Sequence, residues 1–288
     1  MSASTSPVEY RPAVEADLEI GSGIFNRAQN ELYHRHGFTR TDRPVEIFAG
    51  PQRHVLAHDP NRCFVAEVRG QLVAFSSAIV RADTWYCSAL FVDPEFQGHG
   101  IGRHLFELSA AGWPARRMTI ADAIQPVSTG LYASKGLIPS TPILVVGGRP
   151  SIDAPADVEP NSPTPADLAA LDLAVYGFDR AIDHAFWGTQ AVATLWRRNG
   201  QSLAYTYVSS GGWIGPLAGR DEASAAEALR AELARQTNVT LEIPGSAAAL
   251  VEAAFAAGLR LVNPPGLLLH SRPARTPTAL VISGYWLF

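Results

Sequence analysis

Lysine is nearly absent from this chain: Lys135 is the only one in 288 residues. A Walker-type nucleotide loop needs Lys and Ser/Thr directly after its last glycine, so that chemistry is excluded wherever glycines cluster. Cysteine is scarce as well. Cys63 and Cys87 each sit inside an apolar, strand-like run, RCFVAEV and WYCSALFV. They read as small core residues of a reducing compartment, not as a disulfide framework. No run approaches the ~20 apolar residues of a membrane span. The opening MSASTSPVEYRP has neither an apolar signal core nor an arginine-rich presequence. A soluble, cytoplasmic chain with no membrane partner is expected. Neither sign of charge dominates, with 23 Lys+Arg against 27 Asp+Glu and a formal net charge of −4. The basic footprint of a nucleic-acid binder is therefore missing. The one tight histidine pair, His34 and His36 in YHRHG, lacks further ligands at metal spacing, so no metal is expected.

What is present is apolar residue in quantity, 47% of a chain long enough for two ordinary domains. Five prolines crowd the stretch GGRPSIDAPADVEPNSPTPAD, where they oppose both helix and ladder. The division expected is a first domain over 1–148, a Pro-rich linker over 149–166 and a second domain over 167–288. In the first, VEYRP reads as a strand and AVEADLEIGSGIFNRAQNELY as a helix. Two strands follow around an Arg69-Gly70 turn, then the strand TWYCSALFV, a helix from about 100 to 111, the strand RMTIADA, the helix STGLYASKG and a last strand around TPILVVG. The second half repeats that order around an Asn199-Gly200 turn, and the closing ALVISGYWLF reads as a buried last strand whose edge admits a homodimer. The fold class expected is α/β (α+β): a mixed, mostly antiparallel twisted sheet flanked by helices, used twice.

Three glycines at alternate positions, Gly98, Gly100 and Gly102, interrupt FVDPEFQGHGIGRHLFE between a strand and a helix. A dinucleotide fingerprint fails on spacing, G-x-G-x-G in place of G-x-G-x-x-G, and on its antiparallel setting. What remains is Q-x-x-G-x-G at a helix N-terminus, where bare backbone N–H groups and the positive end of the helix dipole suit a diphosphate. A tight turn with nothing bound is the alternative.

LFVDPEFQGHGIGRHLFE resembles the acetyl-CoA-binding motif of the GCN5-related N-acetyltransferases (GNAT). YRPAVEADL is similar to that family's opening, and QPVSTGLYASKGL to its N-x-x-A-x-x-L-Y-x-x-x-G-F motif, with Gln125, Ser128 and Leu137 as departures. The resemblance covers about residues 8–148. It implies that Phe91 and Val92 face the pantetheine arm, and that Gln97, Gly98, His99, Gly100, Ile101, Gly102 and Arg103 hold the diphosphate of acetyl-CoA as co-substrate. It implies direct attack of an amine of a small molecule on the acetyl thioester. Tyr132 matches the motif tyrosine and is the expected general acid, an ordinary phenol being protonated at neutral pH; a tyrosine capping the core is the alternative. The strand position where the histone-acetylating branch keeps a glutamate is Tyr86, and no carboxylate occurs between Thr84 and Val92. Glu31, His34, His36 or a water chain remain as bases. Cys87 lacks an activating neighbour and reads as core, not nucleophile. In the second half, Pro216 and Asp221-Glu222 stand where bare N–H groups are wanted, so that half reads as a degenerate GNAT-like domain with a substrate-specificity or structural role. Its segment YGFDRAIDH faces either the acceptor or the core. A CoA-binding sensor or regulatory module without turnover is the alternative function.

Overall fold

The computed structural model describes residues 7–272 and 277–288. The chain divides into two compact units. One runs to Thr119 and takes in Ile124–Lys135 and Leu287; the other holds Ile120–Ala123, Gly136–Trp286 and Phe288.

The first unit is built from β1 (Val8–Pro12), α1 (Asp17–Arg35), α2 (Val45–His58), β2 (Phe64–Val68), β3 (Gln71–Arg81), β4 (Thr84–Val92), α3 (Ile101–Ser109), β5 (Arg116–Asp122) and α4 (Pro126–Ser134). Its strands follow the order β1-β2-β3-β4-β5, antiparallel throughout except for the parallel pair β4/β5. Arg69 and Gly70 both take positive φ, +53° and +75°, as a two-residue hairpin turn requires. Alternation along β3 sorts its neighbours. Phe75 and Ser77 meet α2 through Phe48 and Gln52, while Ala74 and Ser76 meet α3. Both faces are therefore buried, which is why β3 reads as a nearly unbroken apolar run. Burial of Phe48, Phe75, Trp85, Leu105 and Phe106 gives roughly 1.5–3 kcal/mol for each side chain.

Helix α2 was not expected, because Pro44, Gly50 and Pro51 break the helical pattern. Pro44 stands just outside the first turn, where its missing N–H costs nothing. Pro51 forfeits one internal bond, and burial of Phe48, Ala49, Gln52 and Val55 offsets the loss.

The second unit holds β6 (Ile138–Gly148), β7 (Glu159–Asn161), α5 (Pro165–Val175), α6 (Ala181–Trp187), β8 (Ala191–Arg198), β9 (Gln201–Ser209), β10 (Trp213–Gly219), α7 (Glu222–Leu233), β11 (Val239–Pro244), α8 (Ala248–Ala256), β12 (Arg260–Leu261), β13 (Gly266–His270) and β14 (Leu280–Val281). Its strand order is β13-β6-β11-β10-β9-β8-β7, with β12 also on β6 and β14 also on β10. Among the pairings of the described residues in this unit, β10/β11 is the parallel one. Helix α5 starts on a capping box between Thr164 and Asp167 with Pro165 behind it. The hairpin β8–β9 and the series β10, α7, β11, α8 repeat the hairpin β2–β3 and the series β4, α3, β5, α4, so one plan is used twice.

Two boundaries differ from expectation. Strand β6, expected to end the first domain, lies in the second unit because its ladder partners are there: Val239↔Gly148 through Pro244↔Ile143 on β11, and Gly266↔Ile143 onward on β13. The Pro-rich stretch 149–166 is laid along the second unit rather than strung free. Ser151 N–H donates to Ala257 O at 2.9 Å, Val158 is buried, and Glu159–Asn161 pair with β8 as an edge strand, the place where Pro160 is tolerated. The closing ALVISGYWLF is strand only at Leu280–Val281. No helix among the described residues is long and apolar enough to cross a membrane.

Candidate functional site

Strand β4 changes partners halfway along. Thr84 to Cys87 pair with Arg116 to Thr119 of β5, and the ladder then ends. Ala89 to Val92 keep their partners Ser77 to Ala74 on β3 but have no register partner on β5 among the described residues. The register slips at the same place: Ser77 opposes Ala89 and Ala78 opposes Cys87, so Ser88 is the extra residue of a β-bulge. A strand inside a sheet thus presents one main-chain edge outside the ladder, where the Ala89 and Val92 carbonyls accept from the side chains of Cys87 and Gln97. Phe91 and Val92 lie on this edge, half-buried.

The chain leaves β4 through Asp93, whose N–H donates to Val73 O at 2.9 Å and whose carboxylate accepts from Arg27 Nε at 2.7 Å. Gln97 folds back so that Nε2 donates to Val92 O at 3.0 Å. Gly98 and Gly100 take φ of +80° and +81°, and a Cβ on either would meet nothing within 4 Å. They are glycines for backbone conformation and leave the space above them open. Gly102 differs, because its Cβ would lie 3.3 Å from Val92 Cγ2, against the strand end. Gly100 is the N-cap of α3 and supplies no side-chain cap, and the first turn carries no acidic residue. His104 N–H makes the first bond back, to Gly100 O at 3.1 Å. The N–H groups of Ile101, Gly102 and Arg103 therefore have no intrahelical acceptor, and His99 and Arg103 are exposed beside them. Bare N–H groups at the positive end of a helix dipole suit an anion.

Helix α4 is entered through Gln125, whose Oε1 accepts from Val127 N–H at 3.2 Å, with Pro126 at the first position. It buries Tyr132 against Phe106, ring centroids 5.5 Å apart. The Tyr132 hydroxyl lies beside Cys87 and Thr119; the Cys87 thiol itself donates to Ala89 O at 3.8 Å and the Thr119 hydroxyl to Cys87 O at 3.1 Å. Cys87 and Thr119 are the last β4/β5 register pair, so the phenol sits where the two strands part. Burial, then the neighbouring Cys87, holds the phenol pKa well above its ordinary range, and burial pushes the Cys87 thiol up to about 12. Both stay protonated at neutral pH, which removes Cys87 as a thiolate nucleophile and leaves Tyr132 as a proton donor.

The expected bases are spread along α1. Glu31 is ion-paired with Arg35, His36 Nδ1 lies 2.9 Å from Leu32 O, and His34 is exposed. Among the described residues no group of three or more His, Cys, Asp or Glu side chains could hold a metal. The aromatic lining at Phe91 was missed by sequence reasoning. Phe25 meets Phe91 edge-on at 5.1 Å, Phe48 lies 6.3 Å from it, and Arg40 stacks over Phe25 at 5.1 Å. Only an aromatic at helical spacing in α1, Phe25 before Tyr33, hinted at it.

The second unit repeats this geometry and then fills it. β10 pairs with β11 only at Trp213–Ile214, and beyond that the two separate. Into the gap comes β14: Leu217 pairs with Val281, Ala218 with Leu280, and Ile282 N–H donates to Glu242 O at 3.1 Å. The unit's own chain thus takes the main-chain bonds that the first unit leaves open. Pro216 has no N–H, and Asp221 caps α7 by accepting from Ser224 N–H at 2.7 Å, which holds its carboxyl below the ordinary range. The segment YGFDRAIDH forms a buried network: Asp172 accepts from Tyr205 Oη at 2.7 Å and lies 2.9 Å from His184 Nε2, and Arg180 Nε donates to Asp183 at 2.9 Å. Phe178 is half-buried.

Glu242 lies beside this filled gap with Oε2 buried and without a hydrogen-bond partner among the described residues. Burial, and then the charge of Asp122, pushes its pKa up from 4.5 to about 8. The folded chain keeps that proton between these values while the unfolded chain releases it, so stability falls as pH rises through the window. A Glu242→Gln variant is expected to melt at a higher temperature at pH 8 and to lose that part of the slope. Parallel melting curves of variant and native chain across the window would sink the assignment.

Residues 59–136 match the family model described as the acetyltransferase (GNAT) domain. No curated protein matches the chain. Three solved structures share the fold over nearly all of it. A Pyrococcus horikoshii protein described provisionally as an acetyltransferase has a TM-score of 0.78 at 17% identity, covering 100% of this chain and 98% of its own. A GCN5-related N-acetyltransferase from Sphaerobacter thermophilus has a TM-score of 0.67 at 16% identity, covering 96% and 100%. A tandem GNAT protein from the clavulanic acid biosynthesis pathway, solved without acetyl-CoA, has a TM-score of 0.57 at 16% identity, covering 93% and 100%. At these identities the likeness is one of fold.

Proposed function

We propose that this chain, which carries a GNAT acetyltransferase domain and has the fold of the family's tandem proteins, transfers an acetyl group from acetyl-CoA to an amine of a small molecule. The observation that carries the reading is one juxtaposition: an uncapped, glycine-opened helix N-terminus at the end of a strand that has left its neighbour, with a protonated tyrosine where they part. The residues fit acetyl-CoA on three counts. The N–H groups between Gln97 and Arg103 suit a diphosphate, the edge of β4 at Phe91 and Val92, which has left β5, suits the amides of a pantetheine arm, and the notch at Cys87 and Thr119 suits the thioester.

In the reaction the neutral amine attacks the thioester carbonyl carbon, and the C–S bond breaks as the tetrahedral intermediate collapses. Tyr132 donates its proton to the leaving sulfur, the amine proton departs to water, and water returns a proton to the Tyr132 phenolate. The second unit, its gap filled by β14 and its helix capped by Asp221, is assigned no cofactor; it serves specificity or structure. The missing carboxylate on β4 favours a second reading, a CoA sensor without turnover.

Calorimetric titration with acetyl-CoA, followed by an amine panel read as free-thiol release, tests both. Binding with thiol release supports the transferase. Binding with no release from any amine supports the sensor, and no binding overturns both.

A further inference from the structure

Three polar side chains are buried together in the first unit where apolar ones would pack as well. Gln52 of α2 is fully buried; its Oε1 accepts from Ser77 Oγ of β3 at 2.5 Å, and its Nε2 donates to Ser88 Oγ of β4 at 3.1 Å. Phe48 and Phe75 pack tightly nearby, so the amide is held without slack. A buried hydrogen-bonded trio gives little net stability over an apolar trio of the same shape, which leaves its presence to be explained by what it fixes.

What it fixes is the bulge. Ser88 is the inserted residue of β4, and Ser77 faces it across the slip in register. A bulge can migrate along its strand, and each one-residue step reverses the faces of the residues beyond. Those residues are Ala89 to Val92, which have no register partner on β5 among the described residues. One Gln52 amide bonds both sides of the slip, so the bulge has a single position, directly after the last β4/β5 pair at Cys87. Ser88, the inserted residue, is left out of the pairing with β3 and stands where β4 and β5 part.

We propose that Gln52 is a positioning residue of the acetyl-CoA site: acting through Ser77 and Ser88, it fixes the β4 bulge so that the main chain from Ser88 to Leu90 donates to the thioester carbonyl. This rests on the acetyl-CoA reading above. A preset donor of this kind acts on the carbonyl and not on the rest of the cofactor.

The test is carbon-13 NMR of acetyl-CoA labelled at the thioester carbonyl, bound to the native chain and to the triple variant Gln52→Met, Ser77→Ala, Ser88→Ala. The triple variant leaves no buried group unpaired, and Ser88→Ala alone serves as a second, milder variant. In the native chain the bound carbonyl resonance is expected downfield of free acetyl-CoA, as hydrogen bonding requires. The triple variant should lose roughly half of that shift or more, and Ser88→Ala a smaller part. An unchanged shift in both variants would overturn the proposal and leave the transferase reading intact. Failure of the native chain to bind acetyl-CoA would overturn that reading, and the proposal with it. If the triple variant does not fold, an unchanged shift in Ser88→Ala alone overturns the proposal.

Discussion

A Gly100→Glu variant is expected to bind acetyl-CoA at least about a hundredfold more weakly than the native chain, with only a small change in melting temperature. Two costs combine. Gly100 sits at φ +81°, where a side chain costs roughly 1–2 kcal/mol; the free loop relieves that strain by leaving this conformation, and binding has to restore it. The new carboxylate also enters the open space above the loop, where the diphosphate is proposed to lie. Two unit charges 4 Å apart repel by about 1 kcal/mol in bulk water and about 4 kcal/mol near a protein surface. With the near-surface value these reach about 5–6 kcal/mol, or a factor of roughly several thousand or more. Folding feels less, because a carboxylate at an uncapped helix N-terminus is favourable and offsets part of the strain. Gly100→Ala separates the two effects, carrying the backbone cost alone, roughly tenfold in affinity. Calorimetric titration of all three proteins gives the answer. Equal weakening by Ala and Glu would mean that charge is not what the loop reads.

The loop could be read ahead of the fold because its signals are local. Positive φ at Gly98 and Gly100 and the start of α3 at Ile101 are decided within a few residues. The hairpin turns at Arg69-Gly70 and Asn199-Gly200 were legible for the same reason. Membership of a sheet is decided differently. Strand β6 has the letters of any buried strand, and its partners on β11 and β13 lie about a hundred residues further on, so no pattern near Ile138 assigns it to the second unit. Helix α2 was hidden by Pro51, which is tolerated only because tertiary burial outweighs local propensity.

The chemistry around the loop divides along the same line. Tyr132 stood out through a short motif, but its neighbours Cys87 and Thr119 depend on the parallel register of β4 and β5. The Ser88 bulge and its Gln52 anchor depend on β3, β4 and α2 at once, and nothing in WYCSALFV marks Ser88 as inserted. In the second unit, Pro216 and Asp221 were visible as letters hostile to a diphosphate. The filling of the gap by β14 was not, because Leu280 and Val281 differ in no local way from other apolar pairs. Lack of bare N–H groups and occupation of the strand edge are independent features, and they point the same way.

Tyr132→Phe should lower kcat by about a hundredfold or more with whichever amine the panel identifies, while acetyl-CoA affinity changes by less than about twofold. The hydroxyl is the only group removed, and it is proposed to act on sulfur only as the C–S bond breaks, so its loss belongs to the transition state and not to binding. The ring stays packed against Phe106, which keeps α4 in place. pH gives a second, independent readout. Burial and the adjacent Cys87 hold the phenol well above its ordinary pKa of 10, so the native enzyme should show no loss of rate from tyrosine ionisation up to about pH 10. Any rise at lower pH then reports deprotonation of the amine or its base, and that limb should survive in the variant. A variant that keeps native kcat would return Tyr132 to a packing role and leave protonation of the thiolate to water. If kcat and affinity fall together with the melting temperature, the tyrosine is a support of α4, and the acid must be sought elsewhere in the notch between β4 and β5.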